Sequence, residues 1–293
     1  MYSASKLDSL VPMPAPNAHK YSRGKAAVVA GNAKYPGAAC LAAHACQLAG
    51  AGYTQVFTAR RNCALVQAYR PSLVVQPFAS YNPERLFSEG NPGALIIGPG
   101  FDSSSAKSET LLAQTVRSVQ KPLLIDGGAL SFLSKKTMRR ALERRAKAGL
   151  ATVLTPHLGE AFALGSVLGI DVSPENPQSA AIALAKAYCS VVVLKGPETI
   201  IASESAFECM TEGTSVLSKA GTGDVLAGLI GGFVAQGIDP FDACVLGATV
   251  HARAGLEAQH SFGIVSSCAE EVLAGIPAVL SGMVARAHAN NAS

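Results

Sequence analysis

The chain has 293 residues, of which 49% are hydrophobic and 15% charged, and its formal net charge is +4. That length and apolar fraction supply one large α/β core or two smaller ones, and so mild a charge gives no reason to expect a nucleic-acid partner. The seven cysteines are scattered, odd in number and free of any C-x-x-C pair, which argues against a disulfide framework or a zinc site and fits a reducing cytoplasm.

In chain order, residues 1–20 are polar and Pro-containing and lack an apolar h-region. They read as an N-terminal arm with no signal peptide, ahead of one domain over 21–293. Strands are expected at Ala26–Ala30, Thr54–Thr58, Leu73–Val75, Ala94–Ile97, Leu123–Ile125, Thr152–Leu154, Val191–Leu194 and Thr199–Ile201. Helices are expected near 37–50, 106–118, 135–148, 158–168, 177–188, 224–236, 239–259 and 266–287. The strands are continuously apolar rather than alternating, so the sheet is expected to be covered on both faces. The βα alternation predicts a mostly parallel sheet in a three-layer α/β/α sandwich. No stretch reaches the roughly 18 uninterrupted apolar residues of a membrane span. The longest, near 225–238, is Gly-rich and reads as a core helix, so no membrane partner is expected.

Ligands of such sheets sit beyond the carboxyl ends of the strands. Four turn motifs fall there: Gly98-Pro99-Gly100, Asp126-Gly127-Gly128, Thr155-Pro156-His157 and Lys195-Gly196. Each alone reads as an ordinary strand-end turn. Together with Gly221-Thr222-Gly223-Asp224, which opens the most apolar helix, they read as a site. Glycines at a helix start let backbone N–H groups approach a phosphate, and the helix end favours the anion. Asp224 there is either a simple helix cap or a base facing a substrate hydroxyl, an arrangement suited to phosphoryl transfer. No Walker A loop, no G-x-G-x-x-G after the first strand, no H-E-x-x-H and no G-x-S-x-G occurs. The basic run from Lys135 to Arg145 is expected to be a solvated helix face capped by Ser134, with Met138 and Leu142 buried.

Taken in order, these residues resemble the ADP- or ATP-dependent NAD(P)H-hydrate dehydratases of the ribokinase-like fold. The resemblance runs from His19-Lys20-Tyr21-Ser22-Arg23-Gly24 through Tyr35-Pro36-Gly37-Ala38-Ala39 and Gly98-Pro99-Gly100 to Thr155-Pro156-His157-Leu158-Gly159-Glu160. It continues with Leu194-Lys195-Gly196-Pro197-Glu198-Thr199, the Gly221–Asp224 tetrad and His251-Ala252-Arg253-Ala254-Gly255. The resemblance implies phosphorylation of the C6 hydroxyl of hydrated NADH or NADPH from ADP or ATP, followed by phosphate elimination. It implies Asp224 as base and Gly221 and Gly223 as N–H donors. It implies Ala38, Gly100 and His157 at the hydrated dinucleotide, and Lys195, Gly196, Pro197, Glu198, Thr199 and Gly223 at the nucleotide. Mg²⁺ is expected near Glu160, held mainly through water and phosphate. A symmetric homo-oligomer, in this family a tetramer, is expected too.

The chain departs from the family pattern at Asp126-Gly127-Gly128, where the family has Asp-Ala-Asp, at Phe101-Asp102, where it commonly has a further glycine, and at Gly31-Asn32-Ala33, which stands in for a Gly-Gly-Ser turn. The rival readings are a ribokinase-like kinase of a vitamin precursor and a non-catalytic nucleotide-binding protein on the same fold. His157 in place of Asn argues against the first, and Asp224 against the second.

Overall fold

The computed structural model describes residues 2–292. Nine strands form a single sheet in the order β3-β2-β1-β4-β5-β6-β7-β8-β9. They are β1 (Lys25–Val29), β2 (Tyr53–Thr58), β3 (Val74–Pro77), β4 (Gly93–Ile97), β5 (Leu123–Ile125), β6 (Thr152–Leu154), β7 (Val191–Leu194), β8 (Thr199–Ala202) and β9 (Phe207–Met210). The first seven run parallel, and β8 and β9 form an antiparallel hairpin at one edge. The expected three-layer sandwich is the observed one. The helices are α1 (Ala4–Ser9), α2 (Gly37–Leu48), α3 (Cys63–Tyr69), α4 (Ala106–Ser118), α5 (Lys136–Lys147), α6 (Leu158–Ser166), α7 (Pro177–Tyr188), α8 (Thr222–Ala235), α9 (Pro240–Phe262) and α10 (Ala269–Ala292).

Period-two alternation divides the strand residues between two cores. Val28, Val56, Ile96, Leu124, Val153 and Val193 face α2, α8, α9 and α10. Val29, Phe57, Ile97, Ile125, Leu154 and Val192 belong to the opposite core, with α4, α5, α6 and α7. Because both faces are covered, the parallel strands carry apolar residues at nearly every position.

Helix α8 is buried almost throughout and lies along α2. A Cβ on Gly228 would come within 2.2 Å of the Ala42 carbonyl oxygen, so the two backbones touch there. This glycine is required by close approach rather than by its dihedral angles.

Three elements went unanticipated in the sequence: α1, α3 and β9. Residues 2–20 fold back onto the domain. Helix α1 packs on α10, where Arg286 donates two hydrogen bonds of 2.9 Å to the buried Asp8, and Tyr2 donates to Asp242. The stretch Ala269–Asn290 of α10 is, by length and a mean hydropathy of 1.4 alone, apolar enough to cross a membrane. A count of uninterrupted apolar residues passes over it. In the fold it lies against α9 and α1 and buries Val272, Leu273, Ile276 and Met283. In the basic segment, Met138 and Leu142 are buried as expected, but Ser134 does not cap α5: its hydroxyl donates to the Ser131 carbonyl. Arg145 is buried as well, donating to the carbonyls of Val119 and Lys121, so the basic face is not wholly solvated.

Candidate active site

The carboxyl ends of β4, β5, β6 and β7 are adjacent in the sheet, which places their four turns side by side. Close backbone contact links the first two. A Cβ on Gly98, at φ +114°, would lie 2.0 Å from the Asp126 carbonyl oxygen. Asp126 is buried at the end of β5, and its Oδ1 accepts from Thr155 Oγ1 at 2.6 Å and from Lys195 Nζ at 3.0 Å. Lys195 in turn donates its backbone N–H to the Pro156 carbonyl at 2.8 Å, joining the turns after β6 and β7.

Lys195 also reaches the glycine tetrad. A Cβ on Gly223 would stand 3.4 Å from Lys195 Nζ. Gly221, at φ +92°, is the N-cap of α8, and no side chain caps this helix. The first intrahelical bond runs from the Val225 N–H to the Gly221 carbonyl. The N–H groups of Gly223 and Asp224 are therefore left for an anion. Asp224 sits in the first turn rather than at the cap position.

The charges here interact strongly. Burial, and next the neighbouring Asp126 carboxylate, push Asp224 up to about 7, against the opposing pull of Lys195. Burial by itself would lower the pKa of Lys195, but the carboxylates of Asp126, Glu160 and Asp224 outweigh it, and the pKa ends above its ordinary value. The site thus holds a firmly charged ammonium next to a carboxyl poised for proton transfer near neutrality.

His157 is the N-cap of α6. Its Nδ1 accepts from the Glu160 N–H at 3.1 Å, while Glu160 Oε2 accepts from the His157 N–H at 2.9 Å, which closes a capping box. The imidazole is otherwise directed outward, its side chain 61% exposed. Ala38 and Gly100 meet on the other flank of the site: at φ +66°, a Cβ on Gly100 would be 2.7 Å from that of Ala38.

A cavity of about 600 Å³ opens beside Lys195. Lys195, Gly196, Pro197 and Thr199 line it. Glu198 is not among its lining residues, because its carboxylate turns to Cys209 across the β8–β9 hairpin and accepts from that thiol at 3.6 Å. The opposite wall comes from Met210 at the end of β9, the turn 211–214 and the 3₁₀ helix Ser215–Ser218, and Leu226, Ala248 and His251 supply its α-helical side. The sequence offered no motif for 210–218; its Thr211-Glu212-Gly213-Thr214-Ser215 run announces only a turn. Thr155 and Asp126 were legible as strand-end residues, but their joint hold on Lys195 was not. Two of the departures from the family pattern, at Gly128 and Phe101, prove to be in contact, since a Cβ on Gly128 would fall 2.2 Å from the Phe101 carbonyl oxygen.

Among the described residues no group of three or more His, Cys, Asp or Glu side chains could hold a metal ion. A magnesium ion needs no such cage, because it commonly binds through one or two carboxylates with phosphate oxygens and water. Glu160 fits that pattern, with Oε2 engaged by the His157 N–H and Oε1 without a donor among the described residues.

The open sheet and the glycine-led helix are those of the ribokinase-like fold. A ribokinase-like superfamily protein from Enterococcus faecalis V583 superposes with a TM-score of 0.78, at 23% identity, covering 96% of this chain and 95% of that one. The sequence matches the NAD(P)H-hydrate dehydratase family over residues 26–278, and the chain belongs to that family. It is 34% identical over 281 residues to the ADP-dependent (S)-NAD(P)H-hydrate dehydratase of Xanthomonas campestris, with 92% of each chain covered. It is 32% identical to the bifunctional NAD(P)H-hydrate repair enzyme of Corynebacterium glutamicum, covering 90% of this chain and 48% of that protein, so it spans about half of such bifunctional relatives. The ADP/ATP-dependent NAD(P)H-hydrate dehydratase of Bacillus subtilis, co-crystallized with ATP and Mg²⁺, shares the fold at a TM-score of 0.82 and 24% identity, covering 96% of this chain and 97% of that one.

Proposed function

We propose that this chain restores hydrated NADH or NADPH to the reduced dinucleotide, using ADP or ATP to convert the C6 hydroxyl into a phosphate that is then eliminated. Hydroxide leaves poorly and phosphate leaves well, which is the chemical reason for the phosphoryl step. The observation that carries this reading is the cluster Asp126–Lys195–Asp224 at the uncapped start of α8, beside a cavity large enough for a nucleotide. Asp224 takes the hydroxyl proton as the oxygen attacks the terminal phosphoryl group. The Gly223 and Asp224 N–H groups receive the equatorial oxygens, with Gly221 setting the turn that presents them. Lys195, fixed by Asp126, holds the phosphate chain. Mg²⁺ bound through Glu160 Oε1, water and phosphate would supply charge neutralisation.

Lys195, Gly196, Pro197 and Thr199 form the nucleotide wall of this reading. Ala38, Gly100 and His157 form its dinucleotide side. The protein is assigned to the cytoplasm, which its seven free cysteines fit. We assign it a symmetric homotetramer, and the exposed Phe262, Ile264 and Val265 supply apolar surface for such an assembly. Sedimentation as a monomer at micromolar concentration would overturn the tetramer.

The test of the activity is recovery of the reduced-nicotinamide absorbance from hydrated NADH with Mg²⁺ and either nucleotide. Recovery that requires ADP or ATP is expected. No recovery with either, alongside turnover of a vitamin-precursor alcohol, would replace this reading with a kinase.

A further inference from the structure

Strand β6 lies between β5 and β7, so the ion pair from Asp126 to Lys195 crosses over its carboxyl end. Thr155 occupies that end and is fully buried. Its N–H donates to the Ile125 carbonyl at 3.2 Å, which fixes its backbone beside that of Asp126. Its hydroxyl donates to Asp126 Oδ1 at 2.6 Å, and the same oxygen accepts from Lys195 Nζ at 3.0 Å. Hydrogen bonds to an ionised acceptor are among the stronger ones.

A β-branched side chain is stiff at χ1, whereas the terminal torsion of an aspartate is soft. The threonine therefore gives the carboxylate a second fixed point and decides which way Oδ1 faces. Lys195 depends on that choice, because an ammonium on a flexible four-carbon stem has no preferred direction of its own. It lines the cavity, and its Nζ stands 3.4 Å from where a Cβ on Gly223 would be. Thr155 is not among the residues lining the cavity, so any effect it has on a ligand there passes through Asp126. We propose that Thr155 is a positioning residue whose hydroxyl, acting through Asp126, aims the Lys195 ammonium at the phosphate chain of the nucleotide. The proposal rests on the nucleotide reading of the cavity given above.

Calorimetric titration of the full chain with ADP and with ATP, each with Mg²⁺, tests it, beside the KM for hydrated NADH in the absorbance assay. Thr155→Val keeps the shape of the side chain and removes the donor. It is expected to bind either nucleotide about tenfold more weakly, the scale of one hydrogen bond to a charged group, and to leave the KM for hydrated NADH unchanged. Thr155→Ser keeps the donor and is expected to bind as the wild type does. In an Asp126→Ala background the valine substitution is expected to cost no further affinity, because the group it acts through is gone. Wild-type affinity in Thr155→Val overturns the proposal and leaves the nucleotide reading intact. Equal weakening of nucleotide and hydrated NADH, or the same loss with Asp126 present and absent, overturns it in favour of a purely structural hydroxyl. Wild-type protein that binds neither nucleotide overturns both readings. Should the valine variant fail to fold, Thr155→Cys, whose thiol is a weak donor, takes its place with the same expected and overturning results.

Discussion

Replacing Asp224 by Asn separates the requirements of chemistry from those of folding. The carboxyl has a pKa of about 7 in the fold, against 3.8 ordinarily, because burial and Asp126 both oppose its charge. Each unit is worth about 1.4 kcal/mol, so the ionised form is disfavoured by roughly 4 kcal/mol as an upper bound. The folded pKa is raised, so the associated stability is fully present below about pH 4 and is lost as pH rises through about 7. Asparagine carries no charge at any pH. The variant is therefore expected to match the wild type near pH 4 and to exceed it by roughly 2–4 kcal/mol at pH 8. Lys195 still has Asp126 as its partner. Turnover should nevertheless fall roughly 10²–10⁴-fold, because the proposed base is gone. Urea unfolding of both proteins from pH 4 to 8, beside the nicotinamide absorbance assay, measures the two effects. A stability difference that does not change with pH, or a variant less stable at pH 8, would refute the picture of a disfavoured buried carboxylate. Near wild-type turnover would remove Asp224 as the base.

Three further substitutions probe the surroundings. Lys195→Ala leaves Asp126 buried with Thr155 alone, so it should cost roughly 3 kcal/mol by the scale of broken buried pairs and raise the KM for ADP or ATP far more than that for the hydrated dinucleotide. Equal weakening of both ligands would assign the lysine a structural role only. His157→Ala removes the α6 cap and should cost about 1 kcal/mol in thermal unfolding; it should also weaken binding of the hydrated dinucleotide while ADP affinity holds, and titrations giving the opposite pattern would exchange the two subsites. Gly128→Ala forces a Cβ to within 2.2 Å of the Phe101 carbonyl oxygen and should lower the unfolding midpoint, whereas an unchanged midpoint would mean the turn yields freely.

The sequence was most readable where the chain repeats a simple physical rule. Continuous apolar runs such as Ala94–Ile97 and Val191–Leu194 marked the central parallel strands, because strands covered on both faces favour apolar residues at successive positions. Edge strand β9 was not readable, since Phe207-Glu208-Cys209-Met210 is mixed and partly exposed. Helices α1 and α3 are six and seven residues long, too short to be stable alone, and α1 is held by Asp8 and Arg286 across 278 residues of sequence. The strand-end glycines and the tetrad were visible as places where a ligand could sit. The hold of Asp126 on Lys195, 69 residues apart, was not, because sequence spacing carries no information on which strands are neighbours. The cavity wall at 210–218 joins the end of β9 to a 3₁₀ helix of four residues, pieces too short for periodicity to show, and only the fold assembles it.

The contact between Gly228 and Ala42 turns α2 and α8 into a single beam with both working ends at the ligand edge. One end carries Ala38 and the other the Gly221–Asp224 turn. A methyl group added at Gly228 would pry the helices apart at mid-length, since neither backbone can yield locally at 2.2 Å. The wedge would then act as a fulcrum and swing the Gly221–Asp224 turn away from Lys195. A displacement on the order of 1 Å between reacting groups is enough to cost about a hundredfold in rate. On the proposed mechanism, catalytic alignment would be set by helix interiors that line no cavity, and loss of turnover from Gly228→Ala with nucleotide affinity retained would be its signature.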